Sequence, residues 1–209
     1  MREIMVRSTF FLTFLALTLS VGTANEIVAS TIQLVNKDGT RTYLSEDGIE
    51  REELFTKEHH PEAYCLAENI YFEARSDSVA GQVAVADVVM NRVFDTRFPN
   101  TVCEVVKEGP LKESWKTKSD PDLPDNERVY YPRRHQCQFS WWCDGKAEVI
   151  NDATAWAQAQ YIAYSMLYAE KYRGITEGST HYHAHYVNPK WANTLQYVGS
   201  IDSHKFYRW

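Results

Sequence analysis

The chain has 209 residues and a formal net charge of −6, with 24% charged and 13% aromatic residues. An acidic chain without a basic stripe argues against nucleic acid as a partner. It also argues against simple electrostatic attraction to anionic polymers, so binding to such a polymer must come from shape and stacking.

Arg2 and Arg7 precede an apolar run, Phe10 to Val21, followed by the small residues Gly22, Thr23 and Ala24. A positive stretch, an apolar stretch and a small-residue end predict a secretory signal over 1–24, cleaved after Ala24. The run is too short for an ordinary membrane span, so no span is expected in the mature chain. An uncleaved N-terminal anchor is the alternative, and it would still place the bulk of the chain outside the cytoplasm. What remains is one domain's worth of chain, enough to bury a real core. A monomer is expected.

All four cysteines, Cys65, Cys103, Cys137 and Cys143, lie in the exported part. An even count there suggests disulfides, with three possible connectivities. Cys137 and Cys143 enclose the shortest loop and are the easiest pair to close, which leaves Cys65 with Cys103. A zinc site built from all four lacks the C-x-x-C spacing such sites use.

Residues 25–60 read as an N-terminal arm. "TIQLVNKDGTRTYL" alternates loosely around Asp38-Gly39 and suggests a hairpin. The charged stretch that follows reads as a solvated face.

A helix is predicted from His60-Pro61-Glu62, with proline suited to the first turn and an acid suited to the dipole. Ala63, Leu66, Ala67, Ile70 and Ala74 fall on one apolar stripe at about 100° per residue. Glu73 lies about 20° from Leu66 on the flank of that stripe. Glu68 lies far round, and is expected to be solvated or paired. Burial and the helix C-terminus both disfavour a charged Glu73, so its pKa is expected to rise. A raised carboxyl pKa suits a general acid; a glutamate simply capped by Arg75 or a backbone group is the other reading.

Ser76, Asp77 and Ser78 are N-cap candidates for a second helix with Val79, Val83, Ala86, Val89, Met90 and Val93 at helical spacing. Ala80, Gly81 and Ala84 would let another helix approach. Asp87, polar within this apolar segment, is either a second carboxylate near Glu73 or a structural hydrogen-bonder. Asn100 or Thr101 caps a short helix through Val106. Residues 107–134 read as a long loop with at most a turn of helix, either a lid or a solvated insertion.

In "CQFSWWCDGK" a closed loop would hold Gln138, Phe139, Ser140, Trp141 and Trp142. Rings beside amide and hydroxyl groups suit a sugar; tryptophans in the core are the alternative. The expectation is one tryptophan buried and one lining a cleft. A long helix is predicted from about Ala153 to Tyr172, capped by Asn151 or Asp152 and ended by Gly174. In "STHYHAHYVNPKWA" a strand would place His181, His183 and His185 on one face. Three ligands two apart on one strand rarely converge on a metal, so hydrogen bonding at a cleft is the expected role and no metal or cofactor is expected.

The segments "CLAENIYFEARSDSVAGQVAVADVVMNRVFDTRFPNTVC", "CQFSWWCDGK", "THYHAHYVNPKWA" and "SHKFYRW" together resemble the SleB-type cell-wall hydrolases, in the form found in Gram-negative bacteria and their phages. The resemblance covers roughly residues 61–209. It implies a mainly helical α+β fold similar to the lysozyme-like lytic transglycosylases, with a small β element beside the cleft. It implies peptidoglycan as substrate, cut along the glycan strand, in the periplasm or cell-wall compartment. The family's acid falls on Glu73, and the resemblance places Gln138, Phe139, Ser140, Trp141, His181, Tyr182 and His183 at the cleft; Tyr71 and Tyr186 are expected as further substrate contacts. The competing readings are a zinc-dependent N-acetylmuramoyl-L-alanine amidase using the histidines, and a non-catalytic wall-binding module.

Overall fold

The computed structural model describes residues 33–35, 41–44, 50–53 and 55–209. The signal segment expected over 1–24 and the turn at Asp38-Gly39 lie outside the described residues. Three short antiparallel strands come first: β1 (Gln33–Val35), β2 (Arg41–Leu44) and β3 (Glu50–Glu53), in spatial order β1-β2-β3. β1 and β2 pair across Gln33 and Thr42. The third strand falls in the charged stretch, where periodicity carries no signal.

The centre of the molecule is α1 (Pro61–Ala74), which packs against three other helices. Those are α2 (Val79–Val93), α3 (Val102–Val106) and α5 (Ala153–Tyr168). The α1 stripe is as its period predicts: Ala63, Leu66, Ala67 and Ile70 have no exposed surface. Burying a side chain such as Leu66 or Ile70 contributes about 1.5–3 kcal/mol. Glu62 does more than suit its own helix dipole. Its Oε2 accepts from the amides of Val102 (2.5 Å) and Cys103 (3.1 Å), so it caps α3 from a neighbouring helix. The Cys65–Cys103 disulfide, with Cα atoms 5.2 Å apart, ties the same two helices.

Side-chain caps set the other helix starts. Ser78 accepts from the Gly81 amide, Thr101 from Glu104 and Asp152 from Ala155. Gly81 is small because the β-sheet turn approaches it, not another helix: a Cβ there would lie 2.8 Å from Asp77 Cβ and 3.0 Å from Asp202 Cβ. Helix α5 stops at Tyr168, short of the expected Tyr172, and Glu170 and Tyr172 then take positive φ values of 50° and 68°.

The 107–134 segment is not the irregular loop expected from its composition. β4 (Leu111–Glu113) and β5 (Tyr130–Pro132) form an antiparallel pair, with α4 (Trp115–Lys118) and a 3-10 turn (Asp125–Glu127) between them. Arg128 Nη1 meets Glu113 Oε1 at 2.8 Å across its base. Strands of three residues are too short for alternation to show.

The C-terminal sheet has spatial order β6-β8-β7, all antiparallel: β6 (His181–Ala184), β7 (Gln196–Ile201) and β8 (His204–Arg208). Phe206 of β8 is buried against Ala84 and Val88 of α2. The architecture is thus α+β and mainly helical, with a small sheet laid on α2. Among the described residues no helix is long and apolar enough to cross a membrane.

Candidate active site

Glu73 occupies the last turn of α1 and is half-buried. Tyr182 reaches it from β6, its hydroxyl donating to Glu73 Oε2 at 3.1 Å. Burial pushes the Glu73 carboxyl above its ordinary range; the Tyr182 hydrogen bond and the nearby Arg92 charge pull the other way and do not cancel it. The Tyr182 hydroxyl is pushed well above its usual value by burial and by the Glu73 charge, so it remains a donor. Its ring is fixed by His204 at 5.0 Å, Phe206 at 5.9 Å and Phe139 at 6.4 Å between centroids.

Arg92, near the end of α2, is only 4% exposed. Its Nε donates to the Thr180 carbonyl at 2.7 Å, and its guanidinium lies 5.3 Å from the ring centroids of both Phe98 and Phe139. That fixes a cation behind Tyr182. Nothing in the residue pattern marked it beyond a lone charge in the apolar run "VVMNRV".

The α1–α2 turn is fastened to β8 by Asp77. Ser203 Oγ donates to Asp77 Oδ1 at 2.8 Å, His204 Nδ1 lies 3.0 Å from Asp77 Oδ2, and the Ser78 amide donates to Asp202 at 2.7 Å. This network sets the distance between the helix bearing Glu73 and the sheet bearing Tyr182.

The two other acids flagged by the sequence are structural. Glu68 is buried and paired with Lys57 at 2.8 Å. Asp87 is fully buried and accepts four hydrogen bonds, from Arg173 Nε, the Gly174 and Thr176 amides, and Thr176 Oγ1. It anchors the segment after α5 and has no lone pair free for chemistry.

Of the expected substrate contacts, Tyr182 joins Glu73, while Gln138 and Ser140 are exposed beside the Cys137–Cys143 disulfide. His181 is half-buried against Trp191, and burial with the Arg92 charge lowers its pKa to about 4, so it is neutral.

Three expected contacts, Tyr71, Phe139 and His183, need correction because they are buried, while Trp141 lines a cavity beside α1 and Tyr186 is exposed. Tyr71 has no exposed surface: its hydroxyl donates to Asn151 Oδ1 and accepts from the Asn151 and Asp152 amides, holding the start of α5. Phe139 is 2% exposed and serves as backing for Arg92 and Tyr182. Trp141 is 8% exposed, its Nε1 donating to Asn69 Oδ1 and its ring stacked on Phe72, so it is the buried member of the tryptophan pair. His183 is buried, with Nε2 3.0 Å from the Tyr207 hydroxyl and Nδ1 2.9 Å from the Ala184 carbonyl. Strand alternation sends Tyr182 to Glu73 and therefore turns His181 and His183 away from it. Tyr186 is 79% exposed beyond the end of β6.

A cavity of about 380 Å³ lies beside the C-terminal end of α1. Phe72, Arg75, Trp141, Lys146, Glu148 and Asn151 line it. It adjoins Glu73 in sequence but lies on another side of the helix. Among the described residues no three metal-ligating side chains converge.

The fold and site define a mainly helical α+β protein with one half-buried, hydrogen-bonded carboxylic acid at a helix end facing a small sheet. A family model described as Cell Wall Hydrolase matches residues 76–207, more than half of the chain. The chain belongs to the cell wall hydrolase family. Glu73 lies just before the matched residues. The chain is similar to the spore cortex-lytic enzyme of Bacillus cereus, 49% identical over 43 residues, which is 21% of this chain and 17% of that one. It is similar to the Bacillus subtilis spore cortex-lytic enzyme at 46% over 43 residues, 21% of this chain and 14% of that one. The match therefore spans less than a fifth of these curated relatives. Among solved structures, the SleB catalytic domain of Bacillus cereus is 23% identical, covering 70% of this chain and 89% of that one, with TM-score 0.45. The catalytic domain of the germination-specific lytic transglycosylase SleB of Bacillus anthracis is 24% identical, with coverage of 70% and 93% and TM-score 0.46.

Proposed function

We propose that the protein degrades peptidoglycan by cutting its glycan strand between N-acetylmuramic acid and N-acetylglucosamine, as a lytic transglycosylase with Glu73 as its acid and base. The observation that carries the reading is a half-buried carboxyl at a helix end, its pKa raised by burial, with Tyr182 holding one oxygen in place.

Protonated Glu73 donates to the bridging oxygen as the muramic C1–O bond breaks, leaving an oxocarbenium-like sugar and N-acetylglucosamine as the departing group. The electron pair of that bond goes to the departing oxygen. Glu73, now ionised, is held by the Tyr182 donor and the Arg92 charge. It then takes the proton of the muramic 6-hydroxyl as that oxygen bonds to C1. The product is a 1,6-anhydro sugar, Glu73 regains its proton, and no water is consumed. Hydrolysis would call for a second carboxylate, and Asp87 is fully occupied by its four donors. Peptidoglycan as substrate places the enzyme outside the cytoplasm, where two disulfides persist.

The zinc amidase reading gains no support from the histidines. His183 has both ring nitrogens engaged, and His185 Nδ1 lies 3.1 Å from the Ser203 carbonyl.

The test is mass spectrometry of soluble products from purified peptidoglycan, with Glu73→Gln in parallel. Anhydro-muropeptides from the native enzyme and none from the variant are expected. Reducing muropeptides, each heavier by one water, would overturn transglycosylation and direct the search to Glu108, whose buried Oε2 has no hydrogen-bond partner among the described residues. Free stem peptides would move the chemistry away from Glu73. Wall binding without released fragments would make the protein a binding module.

A further inference from the structure

The cavity beside α1 combines charged side chains with an aromatic floor. Its floor is the Phe72–Trp141 stack, with centroids 4.8 Å apart and planes at 25°. The Arg75 guanidinium lies 5.1 Å over the Tyr71 ring, and neither it nor Glu148 has an ion pair or hydrogen bond among the described residues. Asn151 spends its side-chain oxygen on the Tyr71 hydroxyl, which leaves its amide nitrogen available. Within one cavity there are therefore the Arg75 and Lys146 cations, the Glu148 carboxylate, whose charge also acts on Lys57, an amide donor and an apolar floor.

The far wall is rigid. The Cys137–Cys143 disulfide precedes it, and Arg134 Nε donates to the Asp144 carbonyl at 3.0 Å. Asp144 pairs with Lys146 through the backbone amide at 2.7 Å and the ammonium at 3.3 Å. Gly145 takes φ +80°, a left-handed backbone conformation that favours glycine. The volume, about 380 Å³, is at the small end of ligand pockets. It suits a few residues of an extended chain.

The position of the cavity relative to Glu73 narrows the choice. Phe72 is the preceding residue and Arg75 is two residues on, at about 100° and 200° round the helix from Glu73. The cavity thus begins roughly one helix diameter, about 10 Å, from the carboxyl. An extended peptide gains about 3.3–3.6 Å per residue, so passing round the end of α1 to the cavity takes it at least three residues. In a peptidoglycan strand the stem peptide hangs from the muramic residue whose bond is cut. Its third position is commonly a diamino acid, presenting an ammonium together with carboxylate or carbonyl groups.

We propose that this cavity is a binding site for the peptide stem of the muramic residue cleaved at Glu73, with Arg75 meeting a stem carboxylate and Glu148 the amine of the diamino acid. The proposal rests on the reading of the substrate as peptidoglycan. It makes stem recognition a property of the α1 terminus and the 144–151 wall, separate from the glycosidic chemistry.

The test separates binding from cleavage. The full chain carrying Glu73→Gln is titrated calorimetrically with an N-acetylmuramyl tetrapeptide bearing a diamino acid at its third position. Binding is expected, weakened about tenfold or more when Arg75→Ala or Glu148→Gln is added, as loss of a charge-assisted hydrogen bond dictates. With Glu73 intact, kcat/KM is expected to favour peptide-bearing strands over strands stripped of their stems, and Arg75→Ala should narrow that preference. No binding, or binding unmoved by both substitutions, would overturn the proposal. Peptide binding that holds while no glycan fragments appear supports the cavity assignment and sinks the catalytic reading instead.

Discussion

The hydrogen bond from Tyr182 to Glu73 gives the sharpest test of the catalytic reading. Tyr182→Phe removes the hydroxyl that donates at 3.1 Å to Oε2 and keeps the ring that packs on His204 and Phe206. That donor favours the ionised carboxylate over the neutral acid. A hydrogen bond to a charged group contributes about 1.5–3 kcal/mol, and one between neutral groups about 0.5–1.5 kcal/mol. The difference, about 1–1.5 kcal/mol, corresponds to roughly one pH unit. Glu73 acts as an acid when protonated, so activity is lost as pH rises through its folded pKa. Burial already raises that pKa, and loss of the donor raises it further. The high-pH limb of kcat/KM should therefore move up by about one pH unit in the variant. The rate on the plateau should also fall, because the ionised Glu73 formed during the reaction loses its donor. The assay is release of soluble fragments from purified peptidoglycan across a pH series. A limb that stays in place, or moves to lower pH, would refute the pairing of these residues as the source of the profile.

Glu73→Gln should reduce fragment release by at least about a hundredfold. Its stability should also change with pH in one direction. The folded pKa lies above the unfolded one, so the folded state holds the extra proton between the two, and the native chain loses stability as pH rises through that window. The variant should melt with the native chain in acid and above it at neutral pH; a native chain that melts higher at neutral pH would contradict a raised Glu73 pKa. Asp87→Ala removes the shared acceptor of the partly exposed Arg173 guanidinium and of three further donors, and should cost about 1–3 kcal/mol by urea denaturation. A variant as stable as the native chain but inactive would return Asp87 to the candidate acids. Replacing both Cys65 and Cys103 by serine opens a span of 38 residues, against 6 for Cys137 and Cys143. Chain-entropy costs are about 4 and about 2 kcal/mol, so the first pair should lower stability more, and equal losses would count against that model.

How far the site could be read in advance depended on whether its geometry is local. Glu73 could be placed because a helix wheel needs only the residues of one helix, and the α1 stripe came out buried as its period requires. Asp87 could be weighed correctly because a carboxylate inside an apolar helix must find donors. The disulfide partners follow from loop length. The strand β6 shows the limit. Alternation put His181 and His183 on one face and Tyr182 on the other, and so excluded any reading in which all three meet Glu73. Which face turns toward α1 is decided by Phe206 of β8 settling on Ala84 and Val88, a contact between distant parts of the chain. The same holds for Arg92, whose partner is the Thr180 carbonyl, and for Glu62, which caps α3 rather than its own helix. Backbone acceptors and donors carry no residue identity, so no spacing or motif announces them.

The site nevertheless has an order that follows from these distant contacts. Asp77 fastens the turn after Glu73 to β8 through Ser203 and His204, and β8 pairs with β6, which carries Tyr182. Arg92 fastens α2 to the residue just before that strand through Thr180. The separation of Glu73 from Tyr182 is thus fixed from two sides, by a hydrogen-bond network centred on Asp77 and by one buried guanidinium, neither of which hydrogen-bonds the Glu73 carboxyl. A carboxylic acid that must give and then retake a proton needs its surroundings to hold still through both states. Anchors placed on the backbone and on Asp77, rather than on Glu73, meet that need while leaving one of its oxygens free for the substrate.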